Sequence, residues 1–319
     1  PPLPIECRAR YSQAIMQRMG ELAAFGTAIC WTLSAIFFER ATRRIGVLAV
    51  NFYKVVFAFL FLGVSATLLR GMPLPLDAPP RAWIFLSLSG IIGFVITDIF
   101  LFSAYKTIGS RMATLFLALS PPMTALLGYL FLGEAMGGKS ILGMAMVVVG
   151  IALAILGRRD VKSVAREINR AALISREDRK GYLFAFLSSV GQSVGMIFTK
   201  HGLGSYDPVS GTQIRVIVAI LGFAVVSLFW DRGKALKAAP RDPVAMKATV
   251  TGAVFGPFLG VALSLFAMQR TFAGIVSTLI GLTPVLIIPP SILIFKQKVK
   301  AMEIAGAVLA VAGSAVFFL

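Results

Sequence analysis

Long apolar runs, separated by short clusters of charge, fill this chain almost from end to end. A helix needs about 20 residues, at 1.5 Å each, to cross a hydrocarbon core of about 30 Å. Ten runs meet or approach that length: 21–38, 48–69, 82–104, 111–132, 140–156, 181–199, 209–230, 245–268, 274–295 and 302–319. Several are short, which predicts modest tilt or a thin span. The pattern predicts an all-α membrane protein of ten transmembrane helices, numbered here as spans one to ten.

The ten runs read as five, written twice. An offset of 163 places Pro121 on Pro284, Gly143 on Gly306, Gly150 on Gly313 and Gly93 on Gly256. An offset of 161 places Phe25 on Phe186, Ile36 on Ile197, Phe37 on Phe198 and Lys54 on Arg215. Five spans is an odd number, so sequential copies must lie in opposite orientations, the inverted-repeat plan of secondary transporters. The expected organisation is an N-terminal arm (1–20), a first five-helix repeat (21–156), a basic linker (157–180) and a second repeat (181–319). The arm has the makings of a short interfacial helix, with Ile15, Met16 and Met19 set against Arg8, Arg10 and Arg18.

Composition narrows the class further. The chain is 57% hydrophobic and only 14% charged, against about 25% charged in soluble domains. Its net charge of +17 is read as topogenic and headgroup-facing, since no basic helix interleaved with aromatics offers a nucleic-acid face. The two cysteines, Cys7 and Cys30, make no disulfide framework, and His201, the single histidine, has no metal-binding companions. No cofactor is expected, and no paired acidic motif or histidine cluster supports an enzyme. The loops on the side of both chain ends carry 8 Lys and Arg, those on the other side 21. Read literally, the positive-inside rule places the ends outside.

Candidate chemistry centres on Asp98, the one acidic residue well inside a span. It sits about 24 Å along span three and roughly 12 Å from its far end. A carboxylate there costs about 2.5–3.5 kcal/mol on insertion scales, so it should face a cavity or a partner. Helical spacing puts Phe94, Phe102 and Tyr105 on its face, an aromatic wall suited to a cationic group. Asp98 is also a candidate proton-coupling site, and a lysine or backbone partner is the structural alternative. Lys54 and Arg215 lie at equivalent depths in spans two and seven, either as contacts for an anionic group or as cations snorkelling to the headgroups. Trp31 and Gln192 are equivalent mid-span positions, candidates for the cavity lining. Pro121, Pro122, Pro257 and Pro284 free carbonyls in spans four, eight and nine, marking a hinge region or packing kinks. Glu134 closes span four, and the glycines at 143, 150, 306 and 313 mark close packing or a dimer surface.

The run Leu119-Ser120-Pro121 through Ala125-Leu126-Leu127-Gly128 to Leu132-Gly133-Glu134, followed by Gly143 and Gly150, resembles the drug/metabolite transporter superfamily, in its EamA-type ten-helix branch. Cys30-Trp31, Lys54 and Arg215 match further positions of that family, and the resemblance covers about residues 21–319. The second copy departs from it, with Lys296-Gln297 in place of Gly133-Glu134 and Gln192 in place of Trp31. The resemblance implies a secondary transporter in the cell (inner) membrane, working by alternating access, with a small-molecule substrate, the lipid bilayer as its surroundings and a monomeric or homodimeric state. It also implies cytoplasmic chain ends, against the charge count. The expected cargo is an amino acid or a related polar metabolite moved outward. Nucleotide sugars, other metabolites or drugs, and a lipid flippase are the alternatives.

Overall fold

A computed structural model describes residues 5–101, 103, 104, 107, 116, 117, 119–157, 176–286 and 300–316, and among them there is no strand. Six helices have the length and hydropathy to cross a membrane: Ile15–Thr42, Val47–Arg70, Pro80–Leu101, Arg179–Leu203, Pro208–Trp230 and Pro243–Met268. They fall on spans one, two, three, six, seven and eight. Shorter apolar helices, Gly138–Ala154 and Ala301–Ala315, fall on spans five and ten. Span four is represented by Ser120–Leu132, and span nine by two pieces, Ala273–Ile280 and Thr283–Leu286. The remainder of those two spans lies outside the described residues, and so does the completion of the expected count of ten.

Span one differs from expectation at its start. Ile5–Ile45 is one continuous helix of 41 residues, so the arm extends span one rather than forming a separate interfacial helix. No proline or glycine interrupts it before Gly20, and nothing in the local sequence stops the helix.

The two repeats are interleaved. Span one packs against spans eight and nine of the second repeat, and span six packs against spans three and four of the first. Spans two and seven pack on each other around Val55, Ala58, Leu62, Val216, Ala219 and Phe223. Spans one to four therefore do not form a body separate from six to nine, as a simple division at the linker implies.

Spans five and ten form a backbone-to-backbone seam. A Cβ at Gly150 would lie 2.6 Å from the Gly306 carbonyl oxygen, and one at Gly306 2.6 Å from the Gly150 oxygen. Gly313 meets Gly143 in the same way, at 2.9 Å. Small residues let helix backbones approach this closely in lipid. The glycine stripe is thus an internal seam of one chain, the close packing that its spacing predicts.

Candidate functional site

Spans three and eight each leave the α-helical path at the same point of the repeat. Ile91–Ile96 and Val254–Gly260 are π-helical turns, and their first residues are 163 apart. Such turns insert one residue and concentrate at functional sites. Pro257 lies inside the second π-turn, yet Phe94 occupies its place in the first, so proline is not the common cause. The common feature is a close crossing. Gly93 meets Gly195 of span six, where a Cβ on Gly93 would stand 3.4 Å from the Gly195 Cα. Its counterpart Gly256 meets Ser34 of span one, at 2.6 Å from the hydroxyl. In the first π-turn the Thr97 hydroxyl donates to the Ile92 carbonyl at 2.7 Å, five residues back.

Spans four and nine break at equivalent places. Leu119 is a turn residue before the helix that starts at Ser120, and Gly281–Leu282 form the turn before Thr283. Pro121 and Pro122 follow the first break, and Pro284 follows the second. Pro284 cannot donate to the Ile280 carbonyl, which accepts the Thr283 hydroxyl at 2.8 Å instead. Each break is also met by a hydroxyl of the opposite repeat. Ser193 of span six lies 3.1 Å from the Ser120 carbonyl oxygen, and Thr32 of span one lies 3.5 Å from that of Thr283. Non-helical backbone at membrane depth needs such partners or a wet cavity.

The charged residues gather around the first π-turn, and here the symmetry ends. Asp98 follows the turn directly, and its carboxylate pairs with Lys54 of span two at 3.7 Å. Both side chains are about one-fifth exposed, at 16% for Lys54 and 20% for Asp98. Lys54 also lies 5.7 Å from the centre of the Phe38 ring. Arg215, the counterpart of Lys54, has no acid: Val261 stands where Asp98 would be. Among the described residues Arg215 makes no ion pair. It is 92% buried, its Nε lacks a hydrogen-bond partner, and its guanidinium stacks on Phe94 with 4.6 Å between Cζ and the ring centre. Gly90 makes room for it, because a Cβ there would lie 2.7 Å from the Arg215 carbonyl oxygen. Neither cation snorkels freely to a headgroup: Lys54 is paired, and Arg215 is buried.

The magnitudes leave Arg215 under-compensated. Taking a cation out of water costs several kcal/mol even after relaxation. A desolvated cation–π contact returns about 2 kcal/mol. The balance calls for water or for an anionic group brought from outside. Lys54, Asp98 and Arg215 together carry one net positive charge beside a single span.

The expected aromatic wall is described only in part. Phe94 packs beneath Arg215, whereas Phe102 and Tyr105 lie outside the described residues. Trp31 packs on the core formed by Leu86, Leu203, Ile214, Val261 and Leu265, its indole beside Gly260. Gln192 is half-buried and makes no hydrogen bond with any described residue. Pro121 is buried at the start of its helix.

A second polar constellation carried little weight in the sequence. Glu134 pairs with Lys200 of span six, and its carboxylate accepts the Ala273 N–H at 2.8 Å, capping the first turn of span nine. Lys200 also donates to the Thr271 carbonyl. Three spans are thereby tied at one end of the bundle. On that same side, Arg70 pairs with Asp77 and stands over Tyr206, while Gln269 donates to the Tyr206 carbonyl at 2.7 Å.

Interleaved halves, paired helix breaks and a charged cluster beside the first π-turn mark, among the described residues, an all-helical membrane protein of two repeats. Residues 18–156 and 179–319 each match the model of the EamA-like transporter family, and the chain belongs to that family. It is accordingly an integral multi-pass membrane protein and a membrane transporter of the drug/metabolite-transporter type. A solved crystal structure of a protein 20% identical in sequence shares the fold, with a TM-score of 0.71 over 93% of this chain and 95% of that chain. A comparison with curated proteins found no match.

Proposed function

We propose that the chain carries a small polar metabolite bearing an anionic group, most specifically an amino acid or related carboxylate, across the cell membrane by alternating access. The observation behind this reading is the buried Arg215 guanidinium, stacked on Phe94 and without an acidic partner among the described residues. A substrate carboxylate on Arg215 would supply the missing countercharge with charge-assisted hydrogen bonds. Its ammonium group would then compete with Lys54 for Asp98, whose 3.7 Å pairing is longer than a hydrogen bond. Protonation of Asp98 would release Lys54 and offers a route to proton coupling. Trp31, Gln192, Phe102 and Tyr105 are proposed as further lining, and Pro121, Pro122, Pro257 and Pro284 as the flexing points beside the π-turns and helix breaks.

In alternating access the constellation around Glu134 serves as the closed end. Opening that side must separate Glu134 from Lys200 and from the start of span nine. Counterflow in proteoliposomes tests the reading, with labelled amino acids, nucleotide sugars and organic cations assayed in parallel. Exchange of an amino acid that is lost with Asp98→Asn, in a protein that stays folded, is the expected outcome. Exchange of organic cations alone would overturn it.

A further inference from the structure

Spans two and seven are fastened at both ends at once, and the two fastenings are copies of each other. At one end the Tyr53 hydroxyl donates to the Leu236 carbonyl at 2.9 Å. At the other the Gln213 amide donates to the Pro73 carbonyl at 2.7 Å. Leu236 and Pro73 are 163 apart, and Gln213 neighbours Ile214, which is 161 from Tyr53. Beside the first contact Arg44 pairs with Asp242 at 2.7 Å. Beside the second the Tyr206 hydroxyl donates to Asp77 at 3.0 Å, and Arg70 pairs with Asp77 and bonds the Ser210 hydroxyl. Asp242 and Pro79 are the equivalent N-caps of spans eight and three, and Gly46 and Asp207 those of spans two and seven. Each fastening therefore ties the start of span two or seven to the connection that leads into span eight or three of the other repeat.

Inverted repeats make this doubling informative. In such a carrier the two access states differ by an exchange of conformation between the repeats. A contact that opens and closes with access is made at one end in one state, and its copy is made at the other end in the other state. The Tyr53 and Gln213 contacts are made together, so they do not alternate. The Glu134–Lys200 pair behaves differently. The positions equivalent to Glu134 and Lys200 hold Gln297 and Glu39, so this ion pair is not copied there.

We infer that spans two and seven, with the connections fastened to their ends, form a frame that keeps the same contacts in both access states. They pack on each other through Val55, Ala58, Leu62, Val216, Ala219 and Phe223 between the two fastenings. Opening then separates Glu134 from Lys200 and from the Ala273 N–H, while the Arg70, Asp77 and Tyr206 contacts at that same end stay made. The π-turns of spans three and eight lie just beyond the fastened starts of those spans, where bending leaves the frame in place. This inference rests on the alternating-access reading above, though not on its cargo.

Paired cysteines in a Cys7→Ser, Cys30→Ser background test it. Arg44→Cys with Asp242→Cys fixes one end, and Tyr206→Cys with Asp77→Cys the other, each pair bridged in the folded protein by a bifunctional maleimide. Opening is read in nanodiscs by hydrogen exchange of the Ala273 amide, which needs no substrate. Bridged and unbridged protein are expected to exchange that amide at the same rate, and Glu134→Gln is expected to speed it equally in both. Bridging Glu134→Cys to Lys200→Cys in a separate variant is expected to slow the exchange and to stop counterflow. Slower exchange with both frame bridges in place would overturn the inference, as would counterflow lost on forming them. The pairs Tyr53→Cys with Leu236→Cys and Gln213→Cys with Pro73→Cys repeat the measurement if the first variants fail to fold. A wild type that exchanges none of the labelled compounds would contradict the proposed cargo, and hydrogen exchange would still decide the frame.

Discussion

Lys54 and Arg215 stand at equivalent points of the two repeats, and only one of them has a partner. Lys54 meets Asp98, while Arg215 meets Phe94, and Val261 stands at the position equivalent to Asp98. Around them the backbone keeps its symmetry closely. The π-turns, the breaks in spans four and nine, and the hydroxyls of Ser193 and Thr32 all recur. Symmetric backbone thus supplies two matched sets of deformable elements, as alternating access about a fixed site requires. Asymmetric side chains then place a single uncompensated charge among them, the one we propose selects the substrate.

The sharpest way to break the comparison is to restore the missing acid. Val261→Asp would give Arg215 the partner that Lys54 already has. Transport of an anionic substrate should fall by about 30-fold or more, the scale expected when a buried charge loses its intended partner. Val261→Asn, similar in bulk but uncharged, should fall much less, and proteoliposome uptake separates the two. Next comes the existing pair. Asp98→Asn leaves Lys54 unpaired and should lower the unfolding temperature as well as transport, whereas Asp98→Asn with Lys54→Gln should recover the stability but not the transport. A double variant that regains transport would reduce the pair to a structural role.

The Glu134 constellation gives a smaller effect. Glu134→Gln keeps an acceptor for the Ala273 N–H but removes the charge facing Lys200. A stability loss of about 1–3 kcal/mol is expected. Accessibility of a cysteine reporter at that end of the bundle should rise, which a purely local destabilisation would not produce. The smallest effect belongs to Asp242. Its hydrogen bond from Arg44, together with the Ala245 N–H it accepts at the start of span eight, holds its carboxyl below the usual carboxylate range. A lowered folded-state value means stabilisation that is present above the unfolded value of about 3.9 and is lost as pH falls through the folded one. Asp242→Asn should therefore unfold slightly earlier than wild type at pH 7, with the difference starting to shrink near about pH 4 and vanishing only once pH falls below the folded-state value.

Much of this was legible in the chain. Offsets between Pro121 and Pro284, and between Gly93 and Gly256, mark the repeat and land on the helix breaks and the π-turns. The π-turns themselves leave little trace in an apolar span, because one inserted residue does not change a pattern that is hydrophobic all round. Asp98 was visible as costly, and a lysine partner was among its alternatives. Which lysine it meets depends on spans two and three packing at one depth, which no local pattern encodes. Lys200 read as one more loop charge until span six was placed against span four, where it faces Glu134. The glycines at 150 and 306 announced a close contact without saying with what, since the same spacing serves a seam within a chain or between chains.

The central claim is that Arg215 receives the anionic group of the substrate. The most direct measurement compares, in counterflow, each exchanged amino acid with its own amide, for wild type and for Arg215→Gln. Wild type should exchange the acid far better than the amide, and the variant should lose that preference while still exchanging the amide. An undiminished preference for the acid in a folded Arg215→Gln protein would contradict the account.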